Sequence, residues 1–270
     1  MSITLGTKLN LASFLLFFLG MTYTAEASIF SALDDFSIAS NPNGPWSYGS
    51  TPGPVPGGPF SLNPFVGGAD CNNPDLQGWQ NSGIFPYVLK NFSAVSTSCP
   101  GTVTVFPDVL HLHPASDGKY SVVRWTAPLA GVYEISGFFE GLDFVGPTTT
   151  DAHVLVNGVS IVNIPISTFH IRFGFDFITT LNADDTVDFA VGFGNGNYFN
   201  DSTGLSATIA TVSEPGIVSV LTTGLVLVFG AFRWCRRRND LLRTDRCANA
   251  DSVMVGWAEP WRSPCCPATT

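Results

Sequence analysis

Residues 152–164 read Ala-His-Val-Leu-Val-Asn-Gly-Val-Ser-Ile-Val-Asn-Ile, and this stretch decides the fold. Two runs rich in β-branched residues flank the dipeptide Asn157-Gly158. Asn-Gly suits a type I′ turn, which needs positive φ at both central positions and matches the twist of two antiparallel strands. The stretch therefore predicts a β-hairpin.

The same pattern continues on both sides of this hairpin. Turn signals at Asp117-Gly118, Ala130-Gly131 and residues 182–185 separate further runs of β-branched and aromatic residues. The predicted strands are residues 102–106, 109–113, 120–126, 132–139, 152–156, 159–164, 172–181, 186–191 and 205–212. No segment before Gly216 has a convincing helical period. About nine strands without helices to cover parallel pairs predict an all-β fold, an antiparallel two-sheet β-sandwich of the jelly-roll kind.

Alternation within the predicted strands indicates that one face of each sheet is buried. Tyr133 and Ile135 fall on one face of their strand, and Glu134 and Ser136 fall on the other. Residues 41–101 differ, because they are dense in Pro, Gly, Asn and Ser. We expect this region to be loop with short strands.

Residues 213–238 form a tail of three parts. The motif Ser213-Glu214-Pro215 is followed by the uncharged run 216–232. An arginine cluster closes the tail, comprising Arg233, Arg236, Arg237 and Arg238. At a rise of 1.5 Å per residue, about 17 helical residues can just cross a thin hydrocarbon core. The arginines predict that the preceding chain lies on the outside face of the membrane.

This tail resembles the sorting signal of the bacterial PEP-CTERM proteins. Those proteins have a Pro-Glu-Pro motif, one membrane helix and a terminal arginine cluster. Here Ser213 stands where the first proline is usual, and residues 239–270, to which we assign no role, continue where such proteins end. The resemblance implies export, transient anchoring in the inner membrane and processing by an exosortase-type sorting protease. The product is then expected at the cell surface or outside the cell.

The N-terminus also indicates export. Lys8 precedes an apolar stretch, and Ala25-Glu26-Ala27 places small residues at the two positions that a signal peptidase reads. We predict a signal peptide over residues 1–27. Residues 28–212 then form one exported domain, since their number suits a single core.

The exported domain is acidic. Residues 28–212 contain 15 Asp and Glu against 4 Lys and Arg, a net charge of −11, whereas the whole chain carries −9. Such a surface repels phosphate backbones, so nucleic acid is a poor partner. Divalent cations or neutral polysaccharide are better suited to it, although solubility alone also accounts for the charge.

Only two of the six cysteines, Cys71 and Cys99, fall within the exported domain. Two thiols in an oxidising compartment are most simply a disulfide. The alternative is a pair of buried free thiols.

Aromatic residues in loops give a candidate ligand surface. Trp46, Tyr48 and Tyr198 lie in stretches rich in Gly and Asn, and exposed rings stack on the apolar faces of sugars. The alternative is that these rings belong to the core.

Carboxylates at strand ends give a candidate calcium site. Asp143, Asp151, Asp188 and Asp201 could converge on a hard cation, although their spacing matches no EF-hand. We expect no other cofactor.

Two further sets of residues could carry chemistry. Glu140 and Asp143 could join Asp151 as the acids of a sugar hydrolase, but acids at strand ends are usually solvated. His111 and His113 would face the same side of a strand, where they could hold a metal or simply lie half exposed.

The sequence shows no Gly-x-Ser-x-Gly, His-Glu-x-x-His or P-loop motif. The segments Trp125-Thr126-Ala127-Pro128, Gly131-Val132-Tyr133 and residues 153–158 and 185–189 resemble in pattern the jelly-roll modules that bind carbohydrate in secreted bacterial proteins. We therefore interpret the chain as an exported, non-catalytic glycan-binding or matrix protein. The alternatives are a secreted carbohydrate-active enzyme and a permanently anchored single-pass membrane protein.

The sorting interpretation predicts that the chain is cut near Ser213-Glu214-Pro215. Replacing both Glu214 and Pro215 with alanine should leave a full-length membrane species, because the motif that directs cleavage is lost. Immunoblots of membrane and medium fractions measure this. A wild-type chain that never yields a shorter product would contradict the interpretation.

Overall fold

The computed structural model describes residues 27–212, except Asp70, Pro100 and Asn195. Sixteen strands lie in this range, namely β1 Ile29–Ser31, β2 Trp46–Thr51, β3 Ser61–Leu62, β4 Phe65–Gly67, β5 Leu76–Asn81, β6 Ile84–Asn91, β7 Thr97–Cys99, β8 Val103–Val105, β9 Leu110–His113, β10 Tyr120–Thr126, β11 Gly131–Gly141, β12 Thr150–Val156, β13 Val159–Ile166, β14 Arg172–Leu181, β15 Thr186–Gly192 and β16 Thr203–Thr211. No helix in the described range could cross a membrane. The predicted sorting signal, the tail and residues 1–26 of the predicted signal peptide lie outside the described residues.

The strands form two large sheets and one small one. Sheet A has the order β14-β11-β16-β9-β6-β5-β4, and β1 pairs with the C-terminal half of β16. Sheet B has the order β13-β12-β15-β10-β2-β3, and β7 pairs with β8 separately. All of these strand pairs are antiparallel. The prediction of an all-β fold with two antiparallel sheets is confirmed.

The predicted strands after residue 101 are all present. Strands β10 and β14 have the predicted bounds, and the other seven differ by a few residues at their ends. Asn157 and Gly158 have φ values of 50° and 77° and join β12 to β13, as the hairpin signal predicted. Tyr133 and Ile135 are buried while Glu134 is exposed, which confirms the alternation in β11.

Residues 41–101 are more regular than predicted. Strand β2 pairs with β10 along its whole length and belongs to the interior of sheet B. Strands β5 and β6 form a hairpin of six and eight residues in sheet A. The many prolines and glycines of this region indicated loop. Strands form there nevertheless, because tertiary packing outweighs a weak local propensity for strand.

The main core lies between the two sheets. Trp46 of β2 lies directly opposite Trp125 of β10, and both side chains are fully buried. The ring centroid of Trp125 is 5.1 Å from that of Tyr133 in sheet A, and Trp46 lies 6.4 Å from Phe189. Large aromatic side chains thus fill the space between the sheets, which stabilises their face-to-face packing.

A second layer covers the outer face of sheet A. Cys71 and Cys99 form a disulfide, as predicted from their number and compartment, and close a segment with a sequence separation of 28 residues. These cysteines pack in a cluster with Leu89 of sheet A and with Val103 and Val105 of β8. In the chain-entropy model, a crosslink of this span stabilises the fold by about 3.5 kcal/mol.

The proline-rich stretch 52–60 covers part of the outer face of sheet B. Phe60 packs against Tyr120, Val122 and Leu155, and its ring centroid lies 4.3 Å from the guanidinium carbon of Arg124. Gly57 has a φ of 91°, and a Cβ there would lie 2.2 Å from the carbonyl oxygen of Gly158. Glycine is therefore required where this stretch crosses the β12–β13 turn.

The core position of Trp46 predicts a large loss of stability on truncation. Trp46→Ala should lower the free energy of unfolding by about 3–5 kcal/mol, because it leaves a cavity opposite Trp125. Urea unfolding measures this, and the half-exposed Phe92 supplies a control, Phe92→Ala, with the same kind of truncation at a surface site. A loss for Trp46→Ala no larger than that of the control would contradict the assignment of this ring to the core.

Candidate functional site

Five connections converge at one end of the sandwich, which we call the loop end. They are residues 82–83, 114–119, 142–149, 167–171 and 193–202. The strand registers place them together, since Glu140 lies opposite both Arg172 and Gly204, and Asp151 lies opposite Gly192. The longest connections between the large sheets therefore combine into one surface, the usual location of binding residues on a rigid scaffold.

The first aromatic group at the loop end comprises Tyr198, Phe199 and Phe85. Phe199 is 61% exposed, and its ring centroid lies 4.5 Å from that of Tyr198. Tyr198 is half-buried and packs edge-on against Phe85 at 5.9 Å and against His113 at 6.0 Å. Packing from below holds Tyr198 in place while Phe199 stays open to solvent.

The second aromatic group comprises Phe106, Phe144, Phe169 and His170. Phe144 is 56% exposed and meets Phe169 edge-on at a centroid distance of 6.1 Å. Phe106 stacks on the imidazole of His170 at 4.2 Å. This group gives the loop end a second apolar surface.

Polar contacts through Thr102 connect the loops that carry the two groups. The Thr102 hydroxyl lies 2.6 Å from Oδ1 of Asp143 and 3.4 Å from Oδ1 of Asn200. The backbone N–H of Phe144 donates to the carbonyl of Thr102. The loop of Phe144 and the loop of Phe199 are therefore fastened to the same residue.

Two of the three rings that were predicted to bind a ligand do not lie at the loop end. Trp46 and Tyr48 lie in strand β2 and are fully buried, so the prediction that they are exposed loop rings is wrong. Trp46 donates its indole N–H to Asp35, and burial raises the pKa of Tyr48 well above its usual value. The turn-rich flanks suggested a loop, but the pairing with β10 makes this segment a strand.

The structure brings Asp143 and Asp201 together at the loop end. Both are buried, and Asp201 accepts a 2.7 Å hydrogen bond from the backbone N–H of Thr149. Asp143 accepts one of 2.9 Å from the N–H of Ser202. Burial, with a smaller contribution from the charge of Asp143, outweighs the hydrogen bonds that Asp201 itself accepts and raises the pKa of Asp201 to about 7.

Asp151 and Asp188 are held in other pairings. The guanidinium of Arg124 contacts both oxygens of Asp188 at 2.7 and 2.8 Å, on the strand pair β10–β15. Asp151 accepts from Tyr120 and from the N–H of Gly194. Across residues 27–212, apart from the three positions not described, no three His, Cys, Asp or Glu side chains form a group that could hold a metal. The four aspartates do not form one site.

The acids considered for sugar hydrolysis are enclosed. Glu140 is fully buried on β11, with Oε2 at 3.2 Å from Nδ1 of His170 and at 3.4 Å from Nε of Arg172. Asp143 is 97% buried and bonded as described. Hydrolysis of a glycosidic bond needs two acids that flank the sugar. Glu140 and Asp143 instead contact other side chains and backbone groups of the protein.

The two strand histidines face one side of β9, as predicted, but they are buried and not half exposed. Tyr87 Oη lies 3.1 Å from Nε2 of His111, and Nδ1 of His113 lies 2.8 Å from the carbonyl of Pro114. Burial, reinforced by the neighbouring His113, lowers the pKa of His111 well below its usual value. His111 is therefore a neutral core residue under the aromatic surface.

The outer face of sheet B carries a polar chain that was not predicted from the sequence. Asp151 Oδ2 lies 2.7 Å from Tyr120 Oη and 3.1 Å from Nε2 of His153, and Nδ1 of His153 lies 3.0 Å from Oγ of Ser160. Two features of the sequence indicate this chain. The period of two puts Asp151 and His153 on one face of β12, and the β12–β13 hairpin then places Ser160 next to them.

Comparisons with known proteins give no family assignment. No protein-family model matches the chain, and no curated protein matches it. Among solved structures, it is similar to CBM51 from Clostridium perfringens GH95 in complex with methyl-galactose, with 12% identity, a TM-score of 0.33 and coverage of 47% of this chain and 89% of that one. A family 35 carbohydrate-binding module from Clostridium thermocellum gives 11% identity, a TM-score of 0.26 and coverage of 43% and 85%.

Another similar structure is rabbit GITRL, with 12% identity, a TM-score of 0.24 and coverage of 35% of this chain and 74% of that one. Likeness at these TM-scores carries no argument about function.

The raised pKa of Asp201 predicts a pH-dependent effect of Asp201→Asn. An acid whose pKa is higher in the folded state makes folding less favourable as pH rises from its unfolded value, about 3.9, to its folded value. Asparagine cannot ionise, so the variant does not lose stability in this way as pH rises. Its free energy of unfolding relative to that of wild type should therefore increase between about pH 4 and pH 7. Urea unfolding across this range measures the difference.

The exposed Asp75 provides the matched control, Asp75→Asn. A difference between the Asp201 variant and wild type that does not change with pH would contradict the raised pKa.

Proposed function

We infer that the chain is an exported glycan-binding protein whose loop end binds a neutral or weakly acidic polysaccharide. The observation that carries this proposal is the exposed Phe199 ring, which Tyr198 supports from below at 4.5 Å. Sugar rings present apolar C–H faces that stack on such a surface. We propose that this end of the sandwich binds a glycan and does not cleave it.

The strength of binding depends on how many rings take part. By analogy with aromatic pairs, one stacked ring contributes about 1 kcal/mol, whereas micromolar affinity needs about 8 kcal/mol. Phe144 and Phe169 extend the surface beyond Phe199, with 56% and 38% of their areas exposed. A polysaccharide that spans both aromatic groups also provides hydroxyls for the loop backbone, so several weak contacts add up along one chain.

The charge distribution favours a glycan with little negative charge. The exported domain carries a net charge of −11, which disfavours polyanions. In the loop end itself, Asp143 and Asp201 are buried beneath the exposed rings. Neutral hydroxyl groups meet no electrostatic penalty there.

Calcium remains a proposal for Asp143 and Asp201 only. Their oxygens are the hard ligands that Ca²⁺ takes, and Thr102, Thr149 and Asn200 bring further oxygens nearby. A bound cation would favour the ionised form of Asp201, so calcium should raise the melting temperature more at pH 8 than at pH 5.

The remaining parts of the proposal come from the sequence outside the described residues. We propose that an exosortase-type sorting protease processes the tail after the inner membrane has held it transiently, and that the domain then acts at the cell surface or in the extracellular matrix. A jelly-roll connection of the described strands is a further part of the proposal. A permanently anchored form would differ by retaining residues 216–232.

Phe199→Ala tests the proposed surface. We expect it to weaken binding of the best ligand on a neutral glycan array by about fivefold, the equivalent of about 1 kcal/mol, because one stacking ring is lost. Its melting temperature should stay close to that of wild type, since the ring is mostly exposed. The array is run with and without calcium.

Phe92→Ala is the matched control, because Phe92 is 49% exposed and follows β6 at the opposite end of the sandwich. Equal losses of binding in the two variants, or a loss confined to the Phe92 variant, would contradict the proposed surface.

A further inference from the structure

The polar chain on the outer face of sheet B has the connectivity of a nucleophile, a base and an orienting acid. Ala152 and Val154 point into the main core, so His153 faces outward between them. Nε2 of His153 lies 3.1 Å from the Asp151 carboxylate, and Nδ1 lies 3.0 Å from the Ser160 hydroxyl. The same order of groups recurs on unrelated folds, where geometry and not sequence position identifies it.

The hydrogen-bond directions fix the tautomer of His153. Asp151 also accepts hydrogen bonds from Tyr120 and from the N–H of Gly194. Burial alone would raise the pKa of Asp151, but the hydrogen bonds, led by that from His153, lower it on balance. An ionised Asp151 can only accept, so His153 donates from Nε2, and in the neutral tautomer the Nδ1 lone pair then faces Ser160.

The Ser160 hydroxyl has a single hydrogen and two acceptors within reach. One is Nδ1 of His153, and the other is the carbonyl of Val162 at 3.1 Å. When the imidazole is neutral, the hydroxyl can donate to Nδ1. When it is protonated, Nδ1 donates to Ser160 and the hydroxyl donates to Val162. Only the neutral imidazole can therefore accept the proton of the Ser160 hydroxyl.

The placement of Ser160 makes it accessible. His153 is 95% buried, whereas Ser160 is exposed on β13, the edge strand of sheet B. An edge strand has backbone N–H groups with no strand partner, and such groups can stabilise an oxyanion. A bulge between Val154 and Leu155 shifts the register beside Ser160. Bulges often re-aim a side chain next to a site.

We propose that Ser160 is a nucleophile that His153 activates and Asp151 orients, forming a hydrolytic site for carboxylic esters of small acids. In the first step, Oγ bonds to the ester carbonyl carbon, and the hydroxyl proton passes to Nδ1. The C–O bond to the alcohol then breaks, and the alcohol leaves with that proton. Water repeats the sequence and releases the acid and free Ser160.

The surroundings of Ser160 indicate a small acyl group. Ser160 is itself exposed on the edge strand of sheet B, so this surface is open and offers a long chain little burial. An alcohol leaves more readily than an amine, which favours esters over amides at such an open site. This site is separate from the aromatic groups of the loop end, and the inference does not depend on the proposed glycan binding.

A fluorophosphonate probe on the purified full chain tests the proposal, with the modified serines identified by peptide mass spectrometry. Ser160 should react at least about 100-fold faster than an unassisted serine, the lower range for general base catalysis. The comparison serine is Ser98, which is exposed on β7 opposite Thr104. His153→Gln should reduce the Ser160 rate to that of Ser98. Equal rates for the two serines in the wild-type chain would overturn the proposal.

A second pair of variants, Ser160→Cys and Ser98→Cys, keeps His153 and Asp151 in place. At about pH 6 an ordinary thiol is protonated, but a thiol beside an imidazole is ionised. Iodoacetamide should therefore alkylate the Ser160→Cys thiol at least about tenfold faster than the other. Adding Asp151→Asn should shift the pH profile of that reaction, a result that a merely structural role would not give. Matching pH profiles for the two thiols would overturn the proposal.

Discussion

The pairing of Trp46 with Trp125 on the inner face of sheet B is the interaction on which the rest of the structure depends. The two rings lie on adjacent strands of sheet B, directly opposite each other and fully buried. Trp125 also packs 5.1 Å from Tyr133 of sheet A, so one cluster joins both sheets. Each aromatic side chain of this size removes a large apolar area from water, and cores of this kind tolerate few voids. Because the cluster joins β10 of sheet B to β11 of sheet A, it holds the two sheets face to face, with their loops together at one end.

The outer faces of the two sheets carry covering segments and polar groups in addition to the two-sheet core. The disulfide between Cys71 and Cys99 packs with β8 on the outer face of sheet A, and Thr102, just before β8, contacts Asp143 and Asn200. Sheet B is covered by residues 52–60 at Phe60 and keeps a polar row from Tyr120 to Ser160. One covering layer therefore supports an aromatic surface, and the other face carries titratable groups. The two proposals therefore use different side chains, although Asp151 accepts a hydrogen bond from the N–H of Gly194 in the loop that carries Phe199.

Strand positions could be predicted from the sequence wherever local and tertiary preferences agree. The Asn157-Gly158 turn and the period of two identified β12 and β13 because turn chemistry and burial favour the same register there. Trp46 and Tyr48 were misplaced because their Gly-rich flanks indicate loop, whereas the strand is formed by pairing with residues about 75 positions later. The partners of Asp188 and Asp151 could not be predicted either, since Arg124 reaches Asp188 across the strand pair β10–β15 and Tyr120 reaches Asp151 across the intervening strand β15. Cys71 and Cys99 were predictable because two cysteines allow a single pairing.

Hydrogen exchange on the purified full chain, with and without a saturating neutral polysaccharide from an initial glycan screen, tests the central claim most directly. If the sandwich exists to present the loop end, residues 142–149, 167–171 and 193–202 should gain protection when the glycan binds. Residues 127–131 and 182–185, at the opposite end, should exchange at the same rate in both conditions. Protection confined to that opposite end, with no change in the three loops, would contradict the account.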